Sequence, residues 1–491
     1  MKRLSALLLL PLLLLSGTGK AVIPAPQSIR HQITDSPPPE QDGGYVLRLT
    51  HDEAGQPRWQ VSSTSESGYF YAEQTKRQLE AEYGENLPQT LEIVDYPKLA
   101  WRGLHVDVSR HFFTVSELKA FMDHMAALKL NRLHLHLTDG PGWRIQIKAY
   151  PKLTRVGAWR REKRNPAWYW PDTRIGNDYA EVYGGYFTQQ DMRELIDYGR
   201  ERFITIVPEI DIPGHSYAAL CAYPELAQED FEKLGNGLKG CDTIDVDKPS
   251  TEHFFKKVFD EISALLPEGT PIHIGGDEVP EYLISTEKQR LWSQKIVEYL
   301  AEKGRKAITW DESAINGVTG QTVMLWRADM LDTVLALGLP VILTPNSHCY
   351  FDFPQRDSEL EPLAMGNKAI TLRDVFDMKL PDNSLVVGLQ ANLWTEYIRG
   401  YDHLLYMAFP RAAALAERAW GSPRRPFADF RQNLDCHPDF VPPPFTREDQ
   451  LHLFGTDKTL TPAEMLRHEE AQEKAREKAL EGAREKEAES I

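Results

Sequence analysis

The 491-residue chain has only four cysteines. No two stand at C-x-x-C spacing and no histidine cluster accompanies them, which removes the usual frameworks for structural zinc. Neither G-x-G-x-x-G nor a Walker A loop occurs, so the common phosphate-cradling turns are absent. Basic residues are outnumbered, 56 Lys and Arg against 72 Asp and Glu, for a formal charge of −16. A broad nucleic-acid surface needs a basic stripe, and that class is excluded. No apolar run reaches the roughly 20 residues that cross a bilayer, so no membrane span is expected.

What is present begins with a leader. Lys2 and Arg3 precede the almost unbroken leucine run Leu7–Leu15, and small residues follow at Ser16, Gly17, Gly19 and Ala21. Charge, short apolar core and small residues in that order predict an export signal over residues 1–21 and a periplasmic or secreted protein. No cysteine follows the run, which speaks against a lipid anchor. Cys221 and Cys241 share one predicted loop and could close a disulfide; spacing alone does not decide it.

Periodicity divides the rest. Residues 22–98 read as a short α+β domain, with strands at Tyr45–Thr50, Trp59–Ser62 and Thr90–Val94 and a helix at Tyr71–Tyr83. From there to about residue 425 the pattern alternates strand and helix. Eight short apolar strands are predicted: Leu104–Val108, Arg132–Leu137, Ile204–Pro208, Ile272–Gly275, Ala307–Trp310, Val323–Trp326, Val341–Thr344 and Leu385–Leu389. Helices between them include Val115–Leu128, Gln190–Glu201, Phe254–Leu265, Gln289–Glu302 and Leu404–Ala419. That count predicts a (β/α)8 TIM barrel. Long connections follow the second strand (Gly140–Thr188, rich in aromatics) and the seventh (Asn346–Ile370), on the face where barrels carry active-site loops. Residues 426–491 read as a linker and a charged helical tail.

Chemistry concentrates at strand ends. The fourth strand runs out through His273-Ile274-Gly275-Gly276-Asp277-Glu278. The glycines allow close backbone approach. Two carboxylates are the tools of glycosidic cleavage, one protonating the leaving oxygen and the other stabilising a positive sugar ring. Acids also cap helices, so the dipeptide alone leaves both readings open. Other strand ends tip the balance: Asp107 to Arg110, His136 to Asp139, Pro208 to His215, Trp310-Asp311-Glu312, Trp326-Arg327, Tyr350 to Asp352 and Trp394 to Glu396. A barrel gathers these ends around one axis, so together they predict a site. Indoles offer flat apolar faces to sugar rings, and carboxylates with an arginine bond hydroxyls in fixed directions.

From about Val22 to Gly421 the chain resembles the family 20 glycoside hydrolases, the β-N-acetylhexosaminidases. The resemblance rests on Arg110, His136-Leu137-Thr138-Asp139, Trp143-Arg144, Tyr150 to Thr154 and Gly157-Ala158-Trp159-Arg160. It continues through Tyr183 to Tyr186, Pro208 to His215, His273 to Val279, Trp310, Trp326, Tyr350, Asp352, Trp394 and Glu396. It implies a retaining exo-hydrolase for terminal β-linked N-acetylhexosamine, GlcNAc and perhaps GalNAc, on an oligosaccharide or glycoconjugate. Catalysis in such enzymes is substrate-assisted, the family being an exception to the two-carboxylate rule. By that likeness Glu278 is the general acid and base, Asp277 holds the acetamido N–H and Tyr350 bonds its oxygen. Trp310, Trp326 and Trp394 wall the acetyl pocket, and Arg110, Asp352 and Glu396 hold hydroxyls. Asp139, Asp211 and His215 support the acid, and no metal or organic cofactor is required.

Two features depart from the family pattern. Gly140 and Pro141 stand where members often carry a second acid and a glutamine, and the N-terminal unit is short. The alternatives are a catalytically silent glycan-binding protein, or an enzyme of the same family releasing a disaccharide.

Overall fold

The computed structural model describes residues 22–161, 182–227, 242–366 and 368–450. They fall into two compact units, one of residues 22–97 with 422–438, the other of residues 98–421 with 439–450. The leader, the aromatic stretch around Trp168 and Trp170, Cys241 and the tail beyond Gln450 lie outside the described residues. The expected Cys221–Cys241 pairing therefore falls on an undescribed partner. Among the described residues no helix is long and apolar enough to cross a membrane.

In the first unit an antiparallel sheet orders its strands Ser28–Arg30, Leu91–Asp95, Tyr45–His51 and Pro57–Ser63. The helix Glu66–Tyr83 begins where the Ser65 hydroxyl accepts the Gly68 N–H. Its buried positions Tyr71, Thr75 and Leu79 recur at four-residue spacing, the stripe that faces a core. The three-residue strand at Ser28 is too short to leave a period in the sequence.

The second unit is the barrel. Its strands are β1 (Trp101–Asp107), β2 (Arg132–His136), β3 (Thr205–Glu209), β4 (Ile272–His273), β5 (Ala307–Trp310), β6 (Thr322–Leu325), β7 (Val341–Leu343) and β8 (Val386–Leu393). All pair in parallel and β8 closes on β1, giving the eight-stranded closed barrel that the sequence predicts. Strands covered on both faces carry apolar residues almost continuously, which made them legible. Trp101, Val207, Ile308, Trp310, Met324 and Ile342 form an apolar cluster drawn from five strands. Helices Val115–Ala127 and Gln189–Arg200 each start from a threonine capping box, Thr114 with Glu117 and Thr188 with Asp191.

Two of the differences from the expected elements have a plain local cause. The helix predicted over Leu404–Ala419 is two, Gly400–Ala408 and Arg411–Trp420. Pro410 has no N–H to donate and pushes the residue before it out of the helical region, and Phe409 is extended. The fourth strand stops at His273 rather than Gly275, because Gly275 and Gly276 take φ of 63° and 94°, which no strand accepts.

Candidate active site

The loop leaving β4 is shaped by a close approach. A β-carbon on Gly275 would lie 1.7 Å from Asp211 Oδ1, the same oxygen that accepts the Gly276 N–H at 3.0 Å. Only glycine permits this contact at positive φ. Glu278 also has positive φ, 50°, a strained setting for a side chain of that size. Across this bend the neighbouring carboxylates meet different surroundings: the Asp277 side chain is 14% exposed and that of Glu278 64%.

Behind Glu278 stands a chain of alternating charge. His215 Nε2 lies 3.6 Å from Glu278 Oε2 and 4.0 Å from Asp277 Oδ2, while its Nδ1 lies 3.2 Å from Asp139 Oδ2. The same Asp139 oxygen is 2.6 Å from Arg110 Nη2 and 3.0 Å from His136 Nε2. Burial would raise the Asp139 carboxyl, but Arg110 and His215 hold it well below the usual range. Burial likewise works against charge on His215, yet Asp139 and Asp211 raise its affinity for a proton. Burial, with Glu209 beside it, pushes Asp211 up to about 6, against the opposing pull of His215.

A cavity of about 370 Å³ opens over these groups, within the range of small-ligand sites. It gathers Arg110, Asp139, Asp211, His215, Asp277, Glu278, Trp326, Tyr350, Asp352, Trp394 and Glu396. Of the expected site residues, Trp310 is the exception. It is 1% exposed, lies in the apolar cluster behind Trp326 and Trp394, and donates its indole N–H to Glu209 Oε1 at 2.9 Å. It backs the wall instead of forming it, because Trp310 is the last residue inside β5 whereas Trp326 and Trp394 follow β6 and β8 by one residue. Trp326 stacks on Tyr350 with ring centres 6.3 Å apart, and its N–H faces both Glu312 oxygens at 3.1 Å.

Three carboxylate oxygens of this cavity are buried without a hydrogen-bond partner: Asp277 Oδ1, Asp352 Oδ1 and Glu396 Oε2. Burial raises all three carboxyls, with neighbouring acids adding to the shift: Asp211 on Asp277, Glu396 on Asp352, and Asp107 on Glu396, the last opposed by Arg110. Buried acceptors left unpaired are costly, and the three residues that carry them all line the cavity.

Residues 99–423 match Glycosyl hydrolase family 20, catalytic domain. The chain belongs to that family. A β-hexosaminidase of Porphyromonas gingivalis is 36% identical over 82% of this chain and 54% of its own length, so the chain spans about half of that relative. One from Akkermansia muciniphila is 32% identical over 82% of the chain and 85% of its own length. Among solved structures, that of a β-N-acetylhexosaminidase superimposes with a TM-score of 0.73 at 31% identity, covering 90% of this chain and 98% of that one.

The family 20 cavity of this chain also includes residues that the sequence reading did not assign. His136 and Arg160 sit inside motifs quoted for the resemblance, and Asn346, Phe353, Met365 and Gly366 belong to the long connection after β7. Arg399 carried no signal. Glu312 was visible at a strand end, but its hold on Trp326 was not. Burial and the neighbouring Asp311 push Glu312 up to about 7.

Under the cavity floor, Glu209 is fully buried, with nitrogens of His136, His134 and His273 at 2.7, 3.1 and 3.0 Å. Its carboxylate with His105 and His134, or with His136 and Asp211, and separately Asp211 with His215 and Asp277, are close enough to share a cation. In the groups containing Glu209, its oxygens are already engaged by His136 and the Trp310 indole, whereas both ring nitrogens of His105 and Nε2 of His134 are buried without a hydrogen-bond partner.

Proposed function

We propose that the chain is a retaining exo-β-N-acetylhexosaminidase, acting on terminal GlcNAc or GalNAc through its substrate's own acetamide. The observation that carries the reading is Asp277, which lines the cavity next to Glu278 and whose Oδ1 has no hydrogen-bond partner. An acetamido N–H would satisfy it and turn the carbonyl oxygen towards the anomeric carbon. Tyr350, whose ring packs against Trp326 and Trp394, would bond that oxygen, and the two indoles would flank the methyl.

In the first step the acetamide oxygen bonds to the anomeric carbon as the glycosidic C–O bond breaks. Glu278 gives its proton to the leaving oxygen. Asp277 stabilises the charge spread over the resulting oxazolinium ring. Water then attacks the anomeric carbon, Glu278 takes its proton, and the acetamide is restored with net retention. Holding the nucleophile within the substrate gives it a large effective concentration. Arg110, Asp352 and Glu396 would hold the sugar hydroxyls, with Asp139, Asp211 and His215 supporting the acid. Export through residues 1–21 rests on the sequence alone and is tested by N-terminal sequencing of the mature protein.

Release of p-nitrophenol from its N-acetyl-β-glucosaminide, N-acetyl-β-galactosaminide and β-glucoside tests the mechanism. Turnover of the acetamido sugars alone, lost in Glu278→Gln and Asp277→Asn, is the expected result. Equal cleavage of the glucoside would exclude an acetamide nucleophile.

A further inference from the structure

The charge chain does not stop at Asp139. His136 Nε2 lies 3.0 Å from Asp139 Oδ2, and its Nδ1 lies 2.7 Å from Glu209 Oε2. Carboxylates only accept, so an imidazole held between two of them donates from both nitrogens and is a cation. In order of contact the groups are Glu209, His136, Asp139, His215 and Glu278, with successive separations of 2.7, 3.0, 3.2 and 3.6 Å. The first three of these groups are essentially unexposed, so their mutual fields are weakly screened.

We infer that His136 is a positioning residue for Glu278, acting with Glu209 behind it to fix the charge and orientation of Asp139 and, through Asp139, of His215. The inference rests on Glu278 being the acid. His136 touches no reacting atom in this arrangement. What it supplies is a further cation on Asp139, beside Arg110 and His215, that helps to keep that carboxylate ionised. Its surroundings are consistent: Glu209 and Asp211 on the β3 side, Asp107 and His105 on β1, His134 on its own strand, Asp139 beyond it, and the Trp394 ring 5.0 Å away. Burial works against charge on His136, but Glu209 and Asp139 raise its proton affinity well above the ordinary histidine range. His134 is held down to about 4, chiefly by burial, so the charge resides on His136.

The test compares wild type, His136→Gln, Glu209→Gln and the double variant on the aryl N-acetyl-β-glucosaminide. His136→Gln is expected to lower kcat at least about tenfold, the scale typical of groups that act through another, with KM within about twofold. Removing one cation from this chain is expected to displace the alkaline limb of kcat/KM, a readout that a merely structural role would not move. The double variant should lose no more than the weaker single variant, because both break one chain. A folded His136→Gln with wild-type kcat and pH profile, or a loss confined to KM, would overturn the inference. Should that variant not fold, ring-nitrogen NMR of 15N-histidine-labelled wild type decides it. Two protonated nitrogens on His136 at pH 7 support the inference, and a neutral ring overturns it. An inactive wild type would defeat the functional reading instead, and the same NMR measurement would still judge the charge on His136.

Discussion

Arg110 and Asp139 are joined at 2.6 Å, from Nη2 to Oδ2, across the floor of the cavity. The other arm of the same guanidinium meets Asp107 Oδ2 at 3.0 Å, and Glu396 lies 3.8 Å from Nη2. A planar fork reaches these carboxylates from two separate nitrogens, a spread that the single nitrogen of an ammonium does not match. Arg110→Lys is therefore expected to lower kcat/KM by about 10- to 100-fold, the scale of one or two charged hydrogen bonds. Arg110→Met, which strands the three acids, should cost stability as well, on the order of 3 kcal/mol. Steady-state kinetics and thermal melts measure both, and an unchanged kcat/KM in the lysine variant would remove Arg110 from substrate binding.

Gly275 offers a sharper contrast. Its φ is 63° and a β-carbon there meets Asp211 Oδ1 at 1.7 Å, whereas Gly269, at φ 76°, has nothing within 4 Å. Gly269→Ala should cost only the left-handed backbone strain, about 1 kcal/mol, and leave activity intact. Gly275→Ala adds overpacking against a buried carboxylate, for a total of about 3 kcal/mol, and displaces the loop carrying Asp277 and Glu278. Its activity should fall at least about 100-fold, since small displacements of reacting groups are that costly. Equal effects from the two substitutions would mean that the approach to Asp211 is not what fixes the loop.

The indoles separate in the same way. Trp310 supports the wall from inside β5 and donates to Glu209, while Trp394 faces the cavity. Trp310→Phe keeps the ring but removes a donor to a buried carboxylate, so its melting temperature should drop, by an amount matching about 1–3 kcal/mol, with KM within about twofold. Trp394→Ala should raise KM by about tenfold or more, because a flat apolar face against the ligand is lost. A larger KM effect at Trp310 would put it back on the wall.

The difference between these tryptophans also shows where sequence reading runs out. The barrel was legible because strands buried on both faces are short apolar runs, and the site was legible because polar residues recur where those runs end. Depth along the barrel axis is not periodic. One residue separates an indole inside β5 from one just beyond β6, and no composition signal marks that step. His136 was visible at a strand end, but its role was hidden until Glu209 and Asp139 are seen on either side of it. Arg399 reaches the cavity from a loop with no motif at all. The break before Arg411 was readable in principle from Pro410, but the stretch around it is apolar at almost every position, which masks the interruption.

Glu312 supplies a prediction in stability. Burial and Asp311 raise its carboxyl to about 7, well above the roughly 4.3 of an unfolded glutamate. A raised carboxyl binds its proton more tightly in the folded state. The linked stabilisation is therefore complete below about pH 4.3 and is lost as pH rises through 7. At pH 8 the group is ionised in both states and the fold bears the cost of burying it. Glu312→Gln keeps an oxygen to accept the Trp326 N–H and removes that cost. The variant should therefore melt higher than wild type at pH 8, by an amount corresponding to about 1–3 kcal/mol, and the gain should shrink steadily towards pH 5. Scanning calorimetry across this range measures it. A gain that is the same at both pH values would show that glutamine stabilises by packing, and a loss at pH 8 would show that the ionised carboxylate, through Arg327 or Trp326, is worth more than its burial costs.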